Sequence, residues 1–81
     1  MVKTNGSDKN EFESPLKKLR EEVGLSQQEL ASRIGVAVST LSRWERGKSP
    51  AMMSVRQMKL LCRELRRTLN ELPDEFGPLQ K

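Results

Sequence analysis

Two short helical patterns that meet at Gly35 constrain the fold of this chain more than any other feature. Leu30 and Ile34 are four residues apart before the glycine, and Leu41 and Trp44 are three apart after it, spacings that are typical of helices. Each helix would have only about eight or nine residues, too few to persist alone in water. Glycine permits a left-handed backbone turn that other residues resist. The two helices must therefore be held at one mutual angle by packing on other parts of the chain.

Helix-start and helix-stop signals predict further helices on either side of this pair. Ser14 and Pro15 are a favourable N-cap and first residue for an earlier helix, and Gly24 ends it. Ser26 and Glu29 form a capping box at the start of the second helix, in which each side chain satisfies a free backbone donor of the other residue. The spacing predicts two later helices, at about residues 38–46 and 53–66, and a second capping box, Thr68 to Glu71, predicts a short fifth helix at about residues 68–72.

No strand pattern or internal repeat appears, so we expect an all-α fold, a compact domain of five helices over residues 14–72. The polar residues 1–13 are expected to form a flexible N-terminal arm, and residues 73–81, with two prolines and a glycine, a C-terminal tail. A chain of 81 residues must use every apolar helix face for its core. On the fourth helix, the residues expected to be buried are Val55, Met58, Leu61, Cys62 and Leu65.

The composition argues against an enzyme and against a metal site. The chain has no histidine, which removes the commonest general base and the commonest metal ligand. It shows no glycine-rich phosphate loop, no clustered carboxylates and no metal-ligand spacing, so neither a cofactor nor a metal is expected. No apolar run approaches the roughly 18 residues that would span a membrane, and no signal-peptide pattern appears. We therefore expect a cytoplasmic protein with no membrane partner.

The basic residues are concentrated in the predicted domain. The net charge is +4, but residues 15–51 contain seven basic and four acidic residues, and residues 52–72 contain five basic and two acidic ones. A polyanionic partner such as DNA or RNA would explain this distribution, and ordinary solubilising charge is the alternative explanation.

The positions of small and apolar residues around Gly35 indicate a helix-turn-helix motif. Ala31 would let another helix cross closely, Gly35 follows four residues later, and Leu41 and Trp44 lie six and nine residues beyond it. In this motif the second helix stands out from the domain and enters the major groove of DNA.

Four sequence elements carry a resemblance to a known family: Leu25-Ser26-Gln27, Glu29-Leu30-Ala31, Gly35-Val36 and Trp44-Glu45-Arg46-Gly47-Lys48. They resemble the DNA-binding domain of the phage Cro and repressor type, the xenobiotic-response-element family. The resemblance spans about residues 16–72. It implies a five-helix all-α fold that binds double-stranded DNA sequence-specifically, often as a symmetric dimer.

On the predicted third helix, side chains that face away from Leu41 and Trp44 would point into the groove. Arg43 is the strongest candidate for base readout, because a guanidinium can pair bidentately with guanine for about 1–3 kcal/mol of discrimination. A phosphate contact or a solvated charge is the alternative role for Arg43. The predicted base-contacting residues are Val38, Ser39, Ser42 and Arg43.

A second set of residues is expected to contact backbone phosphates. The resemblance implies that Gln27, which opens the second helix, meets a phosphate there, as helix N-termini do. Arg46 and Lys48 end the third helix and begin the next loop, where backbone phosphates usually lie. The predicted phosphate contacts are Ser26, Gln27, Thr40, Arg46 and Lys48.

The resemblance also implies an ion pair between Arg20 and Glu45, which would tie the first helix to the third. Two positions depart from the family pattern. Ala37 stands where a capping Ser or Thr is common, so Ser39 could shift the helix start or DNA could satisfy the free donors. Arg66-Arg67 stands where the family usually turns with a glycine and an apolar residue, so the fourth helix could run longer.

These observations favour a sequence-specific DNA-binding transcriptional regulator, with repression as the expected effect. A homodimer would have to use the fourth and fifth helices or the tails, and could assemble only on DNA. Two alternatives keep the same fold: an antitoxin that binds a toxin partner and represses its own operon, and a protein-interaction module. An enzyme is the least expected function.

Overall fold

The computed structural model describes residues 14–77. Their regular secondary structure is helical, and these residues contain no strand. A 3₁₀ helix, Leu69–Glu71, follows the last α-helix. The predicted N-terminal arm and the last four residues of the predicted tail lie outside the described residues. The α-helices are α1 (Pro15–Glu22), α2 (Gln27–Ile34), α3 (Val38–Glu45) and α4 (Val55–Leu65). None of these helices combines the length and the apolar character that crossing a membrane would need.

The first two helices begin at the predicted caps, and α2 ends at the predicted turn. Ser14 Oγ accepts a hydrogen bond from the backbone of the first turn of α1 at 3.1 Å, and Ser26 and Glu29 form both bonds of the capping box. Gly35 has a φ of 79°, and its N–H donates to the Ala31 carbonyl at 2.9 Å. An added Cβ at Gly35 would meet no atom closer than 3.9 Å. The left-handed backbone, rather than a lack of space, therefore favours glycine here.

The core is shared by all four α-helices. α2 packs against both α3 and α4, and α3 also packs against α1. Because burying a leucine contributes about 1.5–3 kcal/mol, this shared core stabilises helices that are too short to persist alone. Trp44 is buried, as its position on α3 predicts. The largest fully buried side chains are Leu16, Leu30, Ile34, Leu41, Leu61 and Leu65.

The prediction of a fifth α-helix is wrong. Leu69–Glu71 is a 3₁₀ helix of three residues, so the described residues contain four α-helices. The capping bond predicted for this segment does form, from Thr68 N to Glu71 Oε1 at 2.8 Å. Pro73 explains the early stop, because proline disfavours a helical conformation in the residue before it. Leu72 is accordingly extended, with φ −77° and ψ 145°.

The start of α4 also differs from the prediction. The helix begins at Val55 because Ser54 and Gln57 form a capping box, in which Ser54 Oγ accepts from Gln57 N at 3.0 Å. Val55, expected to be buried, is 72% exposed, since six residues at about 3.6 per turn place it about 120° around the helix from Leu61. Cys62, also expected in the core, is half-buried.

The end of α4 is fixed by a residue in an unusual conformation. The helix stops at Leu65 and does not run longer. Arg66 adopts a left-handed backbone, with φ 59° and ψ 43°, which glycine adopts at lower cost. The N–H groups of Arg66 and Arg67 donate to the carbonyls of Arg63 and Cys62, at 3.2 and 3.0 Å. The turn is therefore kept although an arginine occupies the position suited to glycine.

The described part of the predicted C-terminal tail packs on the helices. Phe76 belongs to the core, and its carbonyl accepts hydrogen bonds from Ser14 Oγ at 2.7 Å and from Leu16 N at 3.4 Å. Gly77 lies so close to Gly47 that an added Cβ would stand 2.7 Å from Gly47 N and would collide with its Cα. Phe76 lies outside any periodic pattern, so the sequence gives no signal that it is buried. Its packing in the core is visible only in the folded structure.

Candidate nucleic-acid interface

α3 turns one side to the core and the other side to solvent. Leu41, Trp44 and Glu45 are buried. Ser39 and Arg43 are four residues apart and lie on the opposite side of the helix. Of the predicted base contacts, Val38, Ser39 and Arg43 are exposed and Ser42 is half-buried, as is the predicted phosphate contact Thr40.

The N-terminus of α3 has no side-chain cap. Ala37 is the N-cap residue and makes no side-chain hydrogen bond, as its identity predicts. The helix begins at Val38, so Ser39 does not shift its start. The first N–H groups of a helix lack partners within the helix and carry the positive end of its dipole. They are therefore available to an anion such as a DNA phosphate.

A buried polar network fixes α3 to the helices before it. The Arg20 guanidinium makes two bonds to the Glu45 carboxylate, from Nε to Oε2 at 2.7 Å and from Nη2 to Oε1 at 3.1 Å. Its Nη1 donates to the Leu25 carbonyl at 2.9 Å. Arg20 is only 7% exposed and Glu45 only 3%. A bidentate pair in this setting fixes the orientation of both side chains, and with it the orientation of α3.

Gln27 joins the same network, and nothing in the sequence signals this contact. Its Nε2 donates to Glu45 Oε1 at 2.8 Å, across 18 residues of chain. One amide hydrogen of the side chain is therefore used inside the protein. A phosphate at the start of α2 would meet the backbone N–H of Gln27 and the remaining side-chain atoms.

The capping box sets the charge at the N-terminus of α2. Ser26 N donates to Glu29 Oε1 at 2.8 Å, and Ser26 Oγ accepts from Glu29 N at 3.0 Å. The hydrogen bond from the Ser26 backbone is the main cause that lowers the pKa of Glu29, and the Ser26 side chain adds to it. The Ser26 hydroxyl is exposed at the start of α2, within reach of an incoming phosphate.

Three exposed cations cluster at the end of α3 and in the turn after it: Arg43, Arg46 and Lys48. Lys48 N donates to the Arg43 carbonyl at 2.9 Å, which folds the turn back onto the helix. Within residues 14–77, none of the three forms an ion pair. Their charge is therefore available to a phosphate backbone.

Gln57 ties the turn between α2 and α3 to α4. Its Nε2 donates to the Gly35 carbonyl at 3.2 Å, and its Oε1 accepts from Ser54 N at 2.9 Å. The Ser-x-x-Gln spacing of residues 54–57 is a capping-box signal that could have located both this residue and the start of α4.

A family model described as helix-turn-helix matches residues 16–72, more than half of the chain. This chain belongs to the Cro/C1-type helix-turn-helix family. The family consists of DNA-binding transcription regulators and is generally non-enzymatic. Membership confirms the predicted repressor-type helix-turn-helix domain. No significant match was found among curated proteins or among solved structures.

No metal site is apparent in the described part of this helix-turn-helix chain. Within residues 14–77, no group of three or more histidine, cysteine, aspartate or glutamate side chains is placed to hold an ion. Cys62 is a free thiol there.

Proposed function

We propose that this protein is a cytoplasmic repressor that binds operator DNA sequence-specifically, with α3 in the major groove. The main support for the proposal is that the two sides of α3 differ. Side chains on the buried side are held by internal hydrogen bonds, whereas those on the exposed side, which we call the free side, are available to a ligand. Glu45 is held by two partners on the buried side, while Arg43 on the exposed side forms no ion pair within residues 14–77. Base readout requires such a rigidly held helix with unengaged donors.

Four residues on the free side of α3 read the bases. Arg43 has the reach and the fork geometry to pair with guanine O6 and N7. Ser39 can donate or accept, and Val38, which is 45% exposed, offers a methyl surface to a thymine. Ser42 contributes from the edge of this face.

A second set of residues fixes the register of α3 on the DNA backbone. Ser26 and Gln27 present a hydroxyl and a free N–H at the start of α2, where the helix dipole favours phosphate. Thr40 adds a hydroxyl from α3, and Arg46 and Lys48 add charge from the turn that follows. Contacts of this kind carry no sequence information but make binding weaken steeply with salt.

The protein binds as a homodimer that assembles on DNA. Large apolar side chains are exposed at Met52 (76%), Val55 (72%) and Leu69 (62%), around the start of α4 and the 3₁₀ helix. These side chains lie near the fourth and fifth predicted helices, which together with the tails are the parts that a homodimer would have to use. So few anchors suit a weak interface, which two adjacent half-sites on DNA would reinforce.

Selection of binding sites from a random pool of duplex DNA at physiological salt tests the proposal. An enriched palindrome with a guanine in each half-site is the expected result. No enrichment by a protein that is folded, as judged by circular dichroism, would contradict sequence-specific binding and would favour a protein-interaction module.

A further inference from the structure

We propose that the solvent face of α4 is a second DNA-contacting surface. It binds backbone phosphates of duplex DNA, and these are phosphates that α3 does not contact. Three cations form this surface, Arg56, Lys59 and Arg63, and we call it the α4 ridge. The inference deepens the proposed function, on which it rests for the identity of the polyanion. It does not depend on which sequence α3 reads.

The ridge lies on the side of α4 that faces away from the core. Its members are three and four residues apart, so they share one helix face, and all three are exposed. Leu61 and Leu65, on the opposite side, are fully buried. At a helix rise of about 1.5 Å per residue, the ridge spans roughly 10 Å. One strand of a DNA duplex presents about three phosphates over that distance, at an axial rise of about 3.4 Å each.

No acidic side chain neutralises the ridge within residues 14–77. Two other arginines in this part of the chain do have acidic partners, Arg33 with Glu64 at 2.9 Å and Arg67 with Glu22 at 2.7 Å. Glu64 is the one acidic residue of α4, and that ion pair directs it toward α2. The ridge is therefore purely cationic, unlike an ordinary solvated helix face, which mixes both signs of charge.

Arg66, the residue directly after α4, adds a fourth exposed cation beside the ridge. It holds a left-handed backbone conformation with φ 59°, where a glycine would be unstrained. Within residues 14–77 it also forms no ion pair. An arginine, with its positive charge, therefore occupies a left-handed backbone position at the end of α4 that glycine would adopt at lower cost.

The chemistry of the ridge favours a phosphate backbone over an acidic protein. Stable protein interfaces bury an apolar or aromatic centre that is depleted of charge. The three residues of the ridge provide charge and no such anchor. Arginine and lysine on flexible stems are the usual contacts to phosphates, and these contacts do not require a fixed geometry.

The test compares two matched double variants of the full chain. Arg56→Gln/Arg63→Gln removes two ridge cations, and the control, Arg33→Gln/Arg67→Gln, removes two arginines that already have ion-pair partners. Both change the net charge by the same amount. Fluorescence anisotropy measures the binding of each variant to a random-sequence duplex over a series of salt concentrations, and circular dichroism checks that each is folded.

The ridge variant should bind the random duplex roughly 60-fold more weakly at 0.1 M salt, where the counterion-release contribution of two phosphate contacts is lost. The plot of log affinity against log salt should flatten by about 1.8, which is 0.9 for each lost phosphate contact. The control should change affinity by less than about threefold, the effect of net charge alone. Equal losses in the two variants, or no loss in the ridge variant, would overturn the proposal.

Two further measurements separate the alternatives. If the ridge variant lost binding to polyglutamate but kept binding to DNA, an acidic protein would replace DNA as the partner. Site selection with the ridge variant should return the sequence that the unaltered protein selects, at lower affinity. If the unaltered protein selected no sequence, the proposed function would fail, while the random-duplex comparison would still decide the role of the ridge.

Discussion

The two sides of α3 use polar groups in opposite ways. On the buried side, both carboxylate oxygens of Glu45 are engaged, one by Arg20 and the other by Arg20 and Gln27 together. On the exposed side, Ser39 and Arg43 stand in solvent. The comparison teaches that the fold uses internal hydrogen bonds to fix the orientation of α3 and leaves the opposite side free for a ligand. Substitutions on the buried side should therefore change stability, and those on the exposed side should change DNA binding alone.

Glu45→Ala should have the largest effect, a loss of about 3–5 kcal/mol of folding free energy, because it leaves the buried Arg20 charge unpaired. The control is Glu64→Ala, which removes the partner of an arginine whose side chain is 51% exposed, and it should cost about 0.2–1 kcal/mol. Thermal melting followed by circular dichroism measures both. Similar small losses for the two variants would show that Glu45 does not fix α3.

Gly77→Ala should cost about 1–3 kcal/mol, as overpacking usually does, since the new Cβ would collide with the Gly47 backbone at the end of α3. Gly24→Ala is the control for steric effects, because an added Cβ at Gly24 meets nothing within 4 Å and only its φ of 79° is strained. Chemical denaturation compares the two. An unchanged denaturation midpoint for Gly77→Ala would show that the C-terminal segment does not stabilise α3.

Arg66→Gly should stabilise the fold by about 0.5–1 kcal/mol, because relief of the left-handed strain exceeds the added flexibility of the unfolded chain. Arg63→Gly, inside α4, should instead destabilise it by about 0.8–1 kcal/mol. Denaturant titration of both variants gives the sign of each effect directly. Destabilisation by both substitutions would mean that the Arg66 side chain makes a stabilising contact in the fold.

The smallest expected effect is on the stability of the fold at acidic pH. Because the folded-state pKa of Glu29 is lowered from its ordinary 4.5, this group adds stability above that pH, and the contribution is lost as pH falls through the folded pKa. The melting temperature should therefore drop on acidification, and slightly less in Glu29→Ala than in the unaltered protein. Glu21→Ala, an exposed acid outside the capping box, serves as the control. An identical acid response in both variants would contradict the role assigned to the cap.

Local signals made much of this fold predictable. The caps at Ser14 and Ser26 and the turn at Gly35 depend on neighbours within a few residues, and each lies where the sequence places it. The fifth helix was mispredicted because its capping box is also a local signal, and Pro73 overrides it after one turn. Val55 was mispredicted as buried although the helical period itself places it about 120° around α4 from Leu61.

Contacts between distant residues were the part that periodicity could not supply. Phe76 reaches Ser14 across 62 residues, and Gln27 reaches Glu45 across 18. The pairing of Arg20 with Glu45 followed from family resemblance and not from the spacing of those residues. The predicted DNA contacts remain predictions, because they concern a surface whose partner is another molecule.

The most direct test of the two-sided account of α3 is the effect of Arg43→Ala on base preference, measured against the selected site and against sites with each base pair substituted in turn. The account predicts that discrimination of about 1–3 kcal/mol disappears at one guanine position. Preference elsewhere should be kept, and stability should change by no more than about 0.5 kcal/mol. A uniform loss of affinity on every sequence would make Arg43 a phosphate contact and would contradict its role in reading bases.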